Sequence, residues 1–212
     1  MIVKSMPVGL LQCNCTILGC EKTREAIVVD PGGDPERILE TLKELDLRPV
    51  KILHTHAHFD HMHGTQALQE ARELETYLHP GDTFLVEGYS KQPELVGLPF
   101  ELGPAPRIDT DLEGSETLRF GEQGALVVHT PGHTPGSCCF TLSTPEGLLL
   151  LSGDTLFQSG IGRTDFPGGN HDQLMGSIRD RLLCLDDNTR VITGHGPETT
   201  IARERAQNPF LR

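Results

Sequence analysis

The chain has 212 residues, with 18 Lys and Arg against 30 Asp and Glu, a formal charge of −12 and no Trp. That length can bury a full core, so one domain spanning residues 1–212 is expected, and the acidity argues against a protein that binds nucleic acid by neutralising phosphates. The longest wholly apolar run, Leu148 to Leu151, is far below the roughly 20 residues of a membrane span, and the opening Met-Ile-Val-Lys lacks the basic and apolar regions of a secretory signal.

In chain order, residues 14–20 and 26–30 read as two strands of a hairpin. Pro31-Gly32-Gly33 turns the chain. Asp34 then stands as an N-cap with Pro35 at the first helical position, and Ile38, Leu39, Leu42 and Leu45 give residues 35–46 a helical stripe. Residues 51–53 form a short buried strand that runs into the densest histidine cluster, with a helix expected to start near Met62. Residues 91–113, with four prolines, read as a surface excursion. Strands are expected at 117–120, 125–129, 137–142, 148–151 and 190–193, and helices near 173–183 and 198–206. Strands followed by helices in both halves suggest sheet packed on sheet with helices outside.

The six cysteines include no C-x-x-C pair. They read as reduced thiols of a cytoplasmic protein, with Cys138 and Cys139 close enough to a functional loop to line a pocket.

The chemistry concentrates in Thr55-His56-Ala57-His58-Phe59-Asp60-His61. In an extended stretch His56 and His58 point to one side, whereas Asp60 and His61 need a turn to act together. This spacing suits two neighbouring metal ions, one on each pair. Further ligands stand directly after expected strands: His133 in T-P-G-H-T-P-G, Asp154 in S-G-D-T and His195 in T-G-H-G. Imidazole and carboxylate together suit zinc, with iron or manganese as the other choices. His54 reads as structural, His63 and His79 as solvent-facing or capping, and His129 as either a hydrogen-bond partner of a ligand or a residue with no part in the site, the second being the favoured reading. His171 lies near a helix start. Arg163 can pair with Asp165 or face an anionic substrate, pairing being the favoured reading.

These motifs resemble the metallo-β-lactamase superfamily over nearly the whole chain. The stretches I-G-R-T-D-F-P-G-G (161–169) and N-P-F (208–210) resemble its short glyoxalase II-like (hydroxyacylglutathione hydrolase-like) branch. The resemblance implies an αββα sandwich with the metals at one edge between two sheets. His56, His58 and His133 would hold one ion and Asp60, His61 and His195 the other, with Asp154 bridging. The stretch after His195 leaves room for one helix and not for a separate helical substrate domain.

The expected activity is hydrolysis of a small-molecule thioester such as S-lactoylglutathione, with a solvent oxygen activated between two zinc ions and with Asp60 and Asp154 in catalytic positions. Arg163 is the candidate substrate contact. The rival reaction is dioxygenation of glutathione persulfide at one iron held by His58, His133 and Asp154. A metal-storing module without turnover is disfavoured, since closed sites use four protein ligands per ion.

Overall fold

The computed structural model describes residues 1–212. The chain first forms β1 (Ile2–Val8), β2 (Cys13–Gly19), β3 (Glu25–Val29), α1 (Pro35–Glu44) and β4 (Arg48–Leu53). Two short helices follow, α2 (Phe59–Met62) and α3 (Thr65–Ala71), then β5 (Glu75–Leu78), α4 (Thr83–Glu87), α5 (Gln92–Leu95) and β6 (Thr110–Asp111). The second half carries β7 (Thr117–Phe120), β8 (Gln123–His129), β9 (Cys138–Thr144) and β10 (Gly147–Gly153). A small ribbon follows, made of β11 (Leu156–Phe157) and β12 (Gly160–Ile161), then α6 (His171–Ser177), β13 (Arg190–Thr193), β14 (Thr199–Thr200) and α7 (Ile201–Gln207).

The strands make two six-stranded sheets, ordered β1-β2-β3-β4-β5-β6 and β14-β13-β10-β9-β8-β7. Alternation along each strand sorts side chains between two layers. In β3, Ile27 and Val29 face the space between the sheets, while Ala26 and Val28 face Ile38, Leu42 and Leu68 of α1 and α3. In β9 and β10, Phe140, Leu142, Leu149 and Leu151 meet the first sheet. Cys139 and Leu150 meet Leu174, Leu182 and Ile201 on the other side. The result is the expected αββα layering. Cross-strand pairs hold the register: Thr16 opposite Val29 in the antiparallel β2–β3 pair, and Val28 opposite Ile52 in the parallel β3–β4 pair.

This topology positions the site. Strands β3, β4 and β5 run parallel in one sheet, and β8, β10 and β13 share one direction in the other. The segments leaving their C-terminal ends carry Asp30, His56, Asp82, His133, Asp154 and His195. Two backbone bonds tie the sheets together at this edge, Cys138 N–H to Thr55 O and Asn14 N–H to Gly194 O, both 2.7 Å.

Several expectations need correction. Asp34 does not cap α1: its φ of 48° is left-handed, and its carboxylate instead accepts the Gly9 N–H at 3.0 Å. Helix begins at Phe59 rather than near Met62, so Asp60 and His61 stand on a helical turn. Strand β1 was unexpected because Lys4 and Ser5 interrupt its apolar pattern and Pro7 occupies an edge position. Strand β5 and helix α4 were also unexpected. The 91–113 stretch is not wholly superficial, because Gln92, Leu102 and Leu112 are buried. Cys138 and Cys139 are core residues and do not line the cavity over the functional loops. All six thiols are unpaired.

Phe140 is fully buried between the sheets. Phe140→Ala is therefore expected to lower stability by about 3–5 kcal/mol in urea unfolding, against less than about 0.5 kcal/mol for Leu126→Ala on the exposed face of β8.

Candidate metal centre

The chain leaves β4 with a bend at Thr55 and His56, and His58 is extended, with ψ at 143°, before the helical turn of α2 begins. This path sets the His56 and His58 rings edge to face at 4.7 Å. The following turn swings Asp60 and His61 into the same volume. The second sheet supplies the rest from the loops after β8, β10 and β13. The seven side chains singled out by sequence, His56, His58, Asp60, His61, His133, Asp154 and His195, all converge there.

They form two groups. His56 Nε2 and His133 Nε2 each lie 3.0 Å from His58 Nδ1. In the second group His61 Nε2 lies 3.2 Å from His195 Nε2, and Asp60 Oδ2 lies 3.1 Å from the same His195 nitrogen. Asp154 stands between the groups. Its Oδ1 is 3.4 Å from His61 Nε2, and its Oδ2 is 3.7 Å from His133 Nε2 and 3.8 Å from His195 Nε2.

The outward sides of the rings determine what the inward nitrogens carry. Thr55 Oγ1 donates to Asp30 Oδ2 at 2.6 Å, so at 3.0 Å from His56 Nδ1 it can only accept. His61 Nδ1 donates to Asp30 Oδ2 at 3.0 Å, His133 Nδ1 to Arg163 O at 2.7 Å, and His195 Nδ1 to Leu11 O at 3.0 Å. In the neutral ring each of these four imidazoles therefore turns a lone pair inward at Nε2.

His56 Nε2 and His133 Nε2 both point at His58 Nδ1, which carries at most one proton for the two of them, so one lone pair stays unmatched unless a cation lies among the rings. A proton is disfavoured in the first group: burial, then repulsion from neighbouring imidazoles, holds His56 well below the usual imidazole range and pushes His58 down to about 3. Asp154 Oδ1 and His58 Nε2 are buried without hydrogen-bond partners. Burial opposes ionisation of Asp60 and Asp154, but the imidazoles, His61 first, outweigh it and hold both carboxyls below their usual range. In the second group burial opposes charge on His61 and His195, but the neighbouring thiol and carboxylates outweigh it and raise both, so a metal ion there would take the place of their inward protons. Imidazole nitrogens with ionised carboxylates are the donor set of divalent metal ions, and the residues fit a pair of such ions.

Three supporting residues escaped the sequence reading. Asp30 accepts from Thr55 N–H at 2.8 Å, from Thr55 Oγ1 and from His61 Nδ1, and so orients both groups. Buried Asp82 accepts from Ala57 N–H at 3.0 Å, Thr134 Oγ1 at 2.8 Å and Gly136 N–H at 2.6 Å, joining the two ligand-bearing loops. Gln92 accepts from Phe59 N–H at 2.8 Å and donates to Ala57 O at 2.9 Å. Asp30 is the last residue of the predicted strand 26–30, and an acidic residue closing an apolar run is the one signal that pointed to it. Asp82 and Gln92 carried none. Close packing also needs Gly32, where a Cβ would overlap the Asp60 carbonyl oxygen, and Gly194, where it would overlap Asp154 Oδ1.

Among the remaining sequence candidates, Arg163 lines the cavity over the centre but pairs with Asp165, Nε to Oδ1 at 2.9 Å and Nη2 to Oδ2 at 2.7 Å. His54 is buried and meets Thr65 Oγ1 at 3.1 Å, and His63 is exposed. His79 caps the Gly81 N–H. His129 touches no candidate ligand: it donates to Pro135 O and stacks on His79.

Comparison with known proteins places these features in context. The profile of the metallo-beta-lactamase superfamily matches residues 8–195. The probable metallo-hydrolase YqgX of Bacillus subtilis is 39% identical, the match covering 98% of this chain and 96% of that protein. The hydroxyacylglutathione hydrolase GloC of Haemophilus influenzae is 38% identical, covering 100% and 98%. Among solved structures, TTHA1623 in a di-iron-bound form superposes with a TM-score of 0.87 at 38% identity, covering 99% of this chain and 100% of that one.

Asp30→Ala is expected to weaken metal binding by about 10–100-fold in chelator competition, because His61 loses the acceptor that fixes its ring. Asp34→Ala, whose carboxylate meets only Gly9, is expected to leave metal affinity unchanged.

Proposed function

The chain belongs to the metallo-β-lactamase superfamily, and on that premise we propose that it is a metal-dependent hydrolase of thioesters, with S-acylglutathiones such as S-lactoylglutathione as candidate substrates. The observation that carries this reading is the convergence of inward-facing imidazole nitrogens and two ionised carboxylates at the floor of an open cavity of about 420 Å³. His56, His58 and His133 would hold one ion, Asp60, His61 and His195 the other, with Asp154 shared. Zinc suits the donors, and the di-iron form of TTHA1623 supports iron as the alternative. Two such ions supply Lewis-acid polarisation of a carbonyl and bring the pKa of water near neutrality.

The chain's own residues do the positioning. Asp60, ionised and facing the cavity, orients the attacking water and accepts from it. Asp154 keeps the two groups at a fixed separation. The carbonyl oxygens of Leu11 and Arg163 and the Asp30 carboxylate prevent the rings from turning away. In the reaction a water oxygen forms the bond to the acyl carbon. The C–S bond then breaks with its electron pair going to sulfur. The products are a carboxylate, a thiol and a released proton. A thiolate leaves readily near its ordinary pKa of about 8.5, so no strong general acid is needed.

The thioester reading draws support from the GloC relationship, which extends over the whole chain. The unpaired thiols fit the reducing cytoplasm. No helix is long and apolar enough to cross a membrane.

Protein freed of metal by chelation and reloaded with zinc or iron is expected to hydrolyse S-lactoylglutathione, followed by loss of thioester absorbance. Asp60→Asn is expected to lower kcat by about 10²–10⁴-fold. Oxygen uptake with glutathione persulfide, in the absence of any thioester hydrolysis, would instead establish the rival dioxygenase.

A further inference from the structure

The walls of the cavity differ in character from its floor. Nine of its 14 lining residues lie outside the metal centre, and seven of those are apolar, among them Leu11, Leu95, Val96, Phe157, Ile161 and Phe166. These six come from four separate segments, the β1–β2 turn, the end of α5, the β11–β12 ribbon and the loop after it, and the seventh is Phe59 on α2. Three remain open to solvent, with Leu95 at 48%, Leu11 at 38% and Val96 at 38% exposure, so a ligand has apolar surface to cover.

The two remaining wall residues are polar, and both are already engaged. The Gln92 amide oxygen accepts from Phe59 N–H, and its nitrogen donates to Ala57 O and Leu85 O. Arg163 forms the bidentate pair with Asp165, and its guanidinium lies 4.0 Å over the Phe166 ring. No lysine and no second arginine lines the cavity. Glutathione carries two carboxylates and an ammonium group. The walls offer its carboxylates a single cation, Arg163, already shared with Asp165, whereas an alkyl chain finds apolar contact on all four segments.

We propose that this cavity selects its substrate by an apolar acyl chain packed against Leu11, Leu95, Val96, Phe157, Ile161 and Phe166, the charged part of the thiol carrier staying outside. This specificity rests on the thioesterase reading and shifts its preferred substrate from S-lactoylglutathione to thioesters of medium-chain, uncharged acyl groups. A cavity of about 420 Å³ lies in the range of small-molecule sites and holds a chain of several carbons.

The test uses metal-loaded protein and acyl thioesters of N-acetylcysteamine, an uncharged thiol, from acetyl to octanoyl. Burial of a methylene contributes about 0.8 kcal/mol, which corresponds to about fourfold. kcat/KM is therefore expected to rise about three- to fourfold per carbon until the cavity is filled. In parallel, non-hydrolysable S-alkyl thioethers of the same thiol are titrated by calorimetry, with the same slope expected in Kd. Leu95→Ser with Val96→Ser should flatten both slopes, while Leu126→Ser on the distant face of β8 should not.

A flat or falling series in both measurements overturns the proposal. So does a tenfold or larger gain in kcat/KM on replacing N-acetylcysteamine by glutathione at constant acyl group. Thioethers that bind with the expected slope while no thioester is hydrolysed support apolar selection and overturn the thioesterase reading instead.

Discussion

Four imidazoles at the base of the cavity are held from behind. Thr55 Oγ1 stands behind His56, Asp30 behind His61, the Arg163 carbonyl behind His133 and the Leu11 carbonyl behind His195. Each contact takes one ring nitrogen as a donor and leaves the other as an inward lone pair. The chemistry of the site depends on this arrangement, because an imidazole free to turn would present an N–H to its neighbours and close the centre on itself. With the rings fixed, His56 Nε2 and His133 Nε2 compete for the single proton His58 Nδ1 can carry, and burial keeps the first group from taking up a further one.

The sandwich makes this possible by gathering the C-terminal ends of several strands at one edge. No segment of the chain could bring His56 to His133 and Asp60 to His195 by itself. The joints between the sheets are short and specific: Thr55 O receives the Cys138 N–H, Gly194 O receives the Asn14 N–H, and Asp82 accepts from both ligand-bearing loops. Gly194 allows β13 to approach so closely that a methyl group there would collide with Asp154. Precision at the centre thus comes from backbone contacts that have no side-chain signature. The walls above it are built differently, from apolar residues on four segments, so the reacting groups and the surface that receives the substrate can vary independently.

The layering and the seven converging residues were legible because both rest on local pattern. The order of strands and helices in both halves marked sheet packed on sheet with helices outside. The His-x-His-x-Asp-His spacing is too dense in metal-binding types for ordinary packing. Other features were hidden because their causes are non-local. Asp34 follows a turn and precedes Pro35, as a cap would, yet its carboxylate is taken by Gly9, 25 residues earlier in the chain. Asp82 and Gln92 look like ordinary loop polars in sequence. Only the fold shows that Asp82 meets Ala57 and Gly136 and that Gln92 meets Ala57 and Phe59. Strand β1 owes its existence to pairing with β2, from Ile2 opposite Gly19 to Val8 opposite Cys13, rather than to its own interrupted apolar pattern.

The claim on which all of this turns is that two cations sit among these donors with Asp154 between them. Anomalous diffraction from crystals of the metal-loaded protein, collected on either side of the absorption edge of the bound metal, tests it directly. The account predicts two peaks, one enclosed by His56, His58 and His133 and one by Asp60, His61 and His195, each adjacent to an Asp154 oxygen. A fully loaded crystal with no peak at this edge of the sandwich, or with its metal bound elsewhere on the chain, would contradict it.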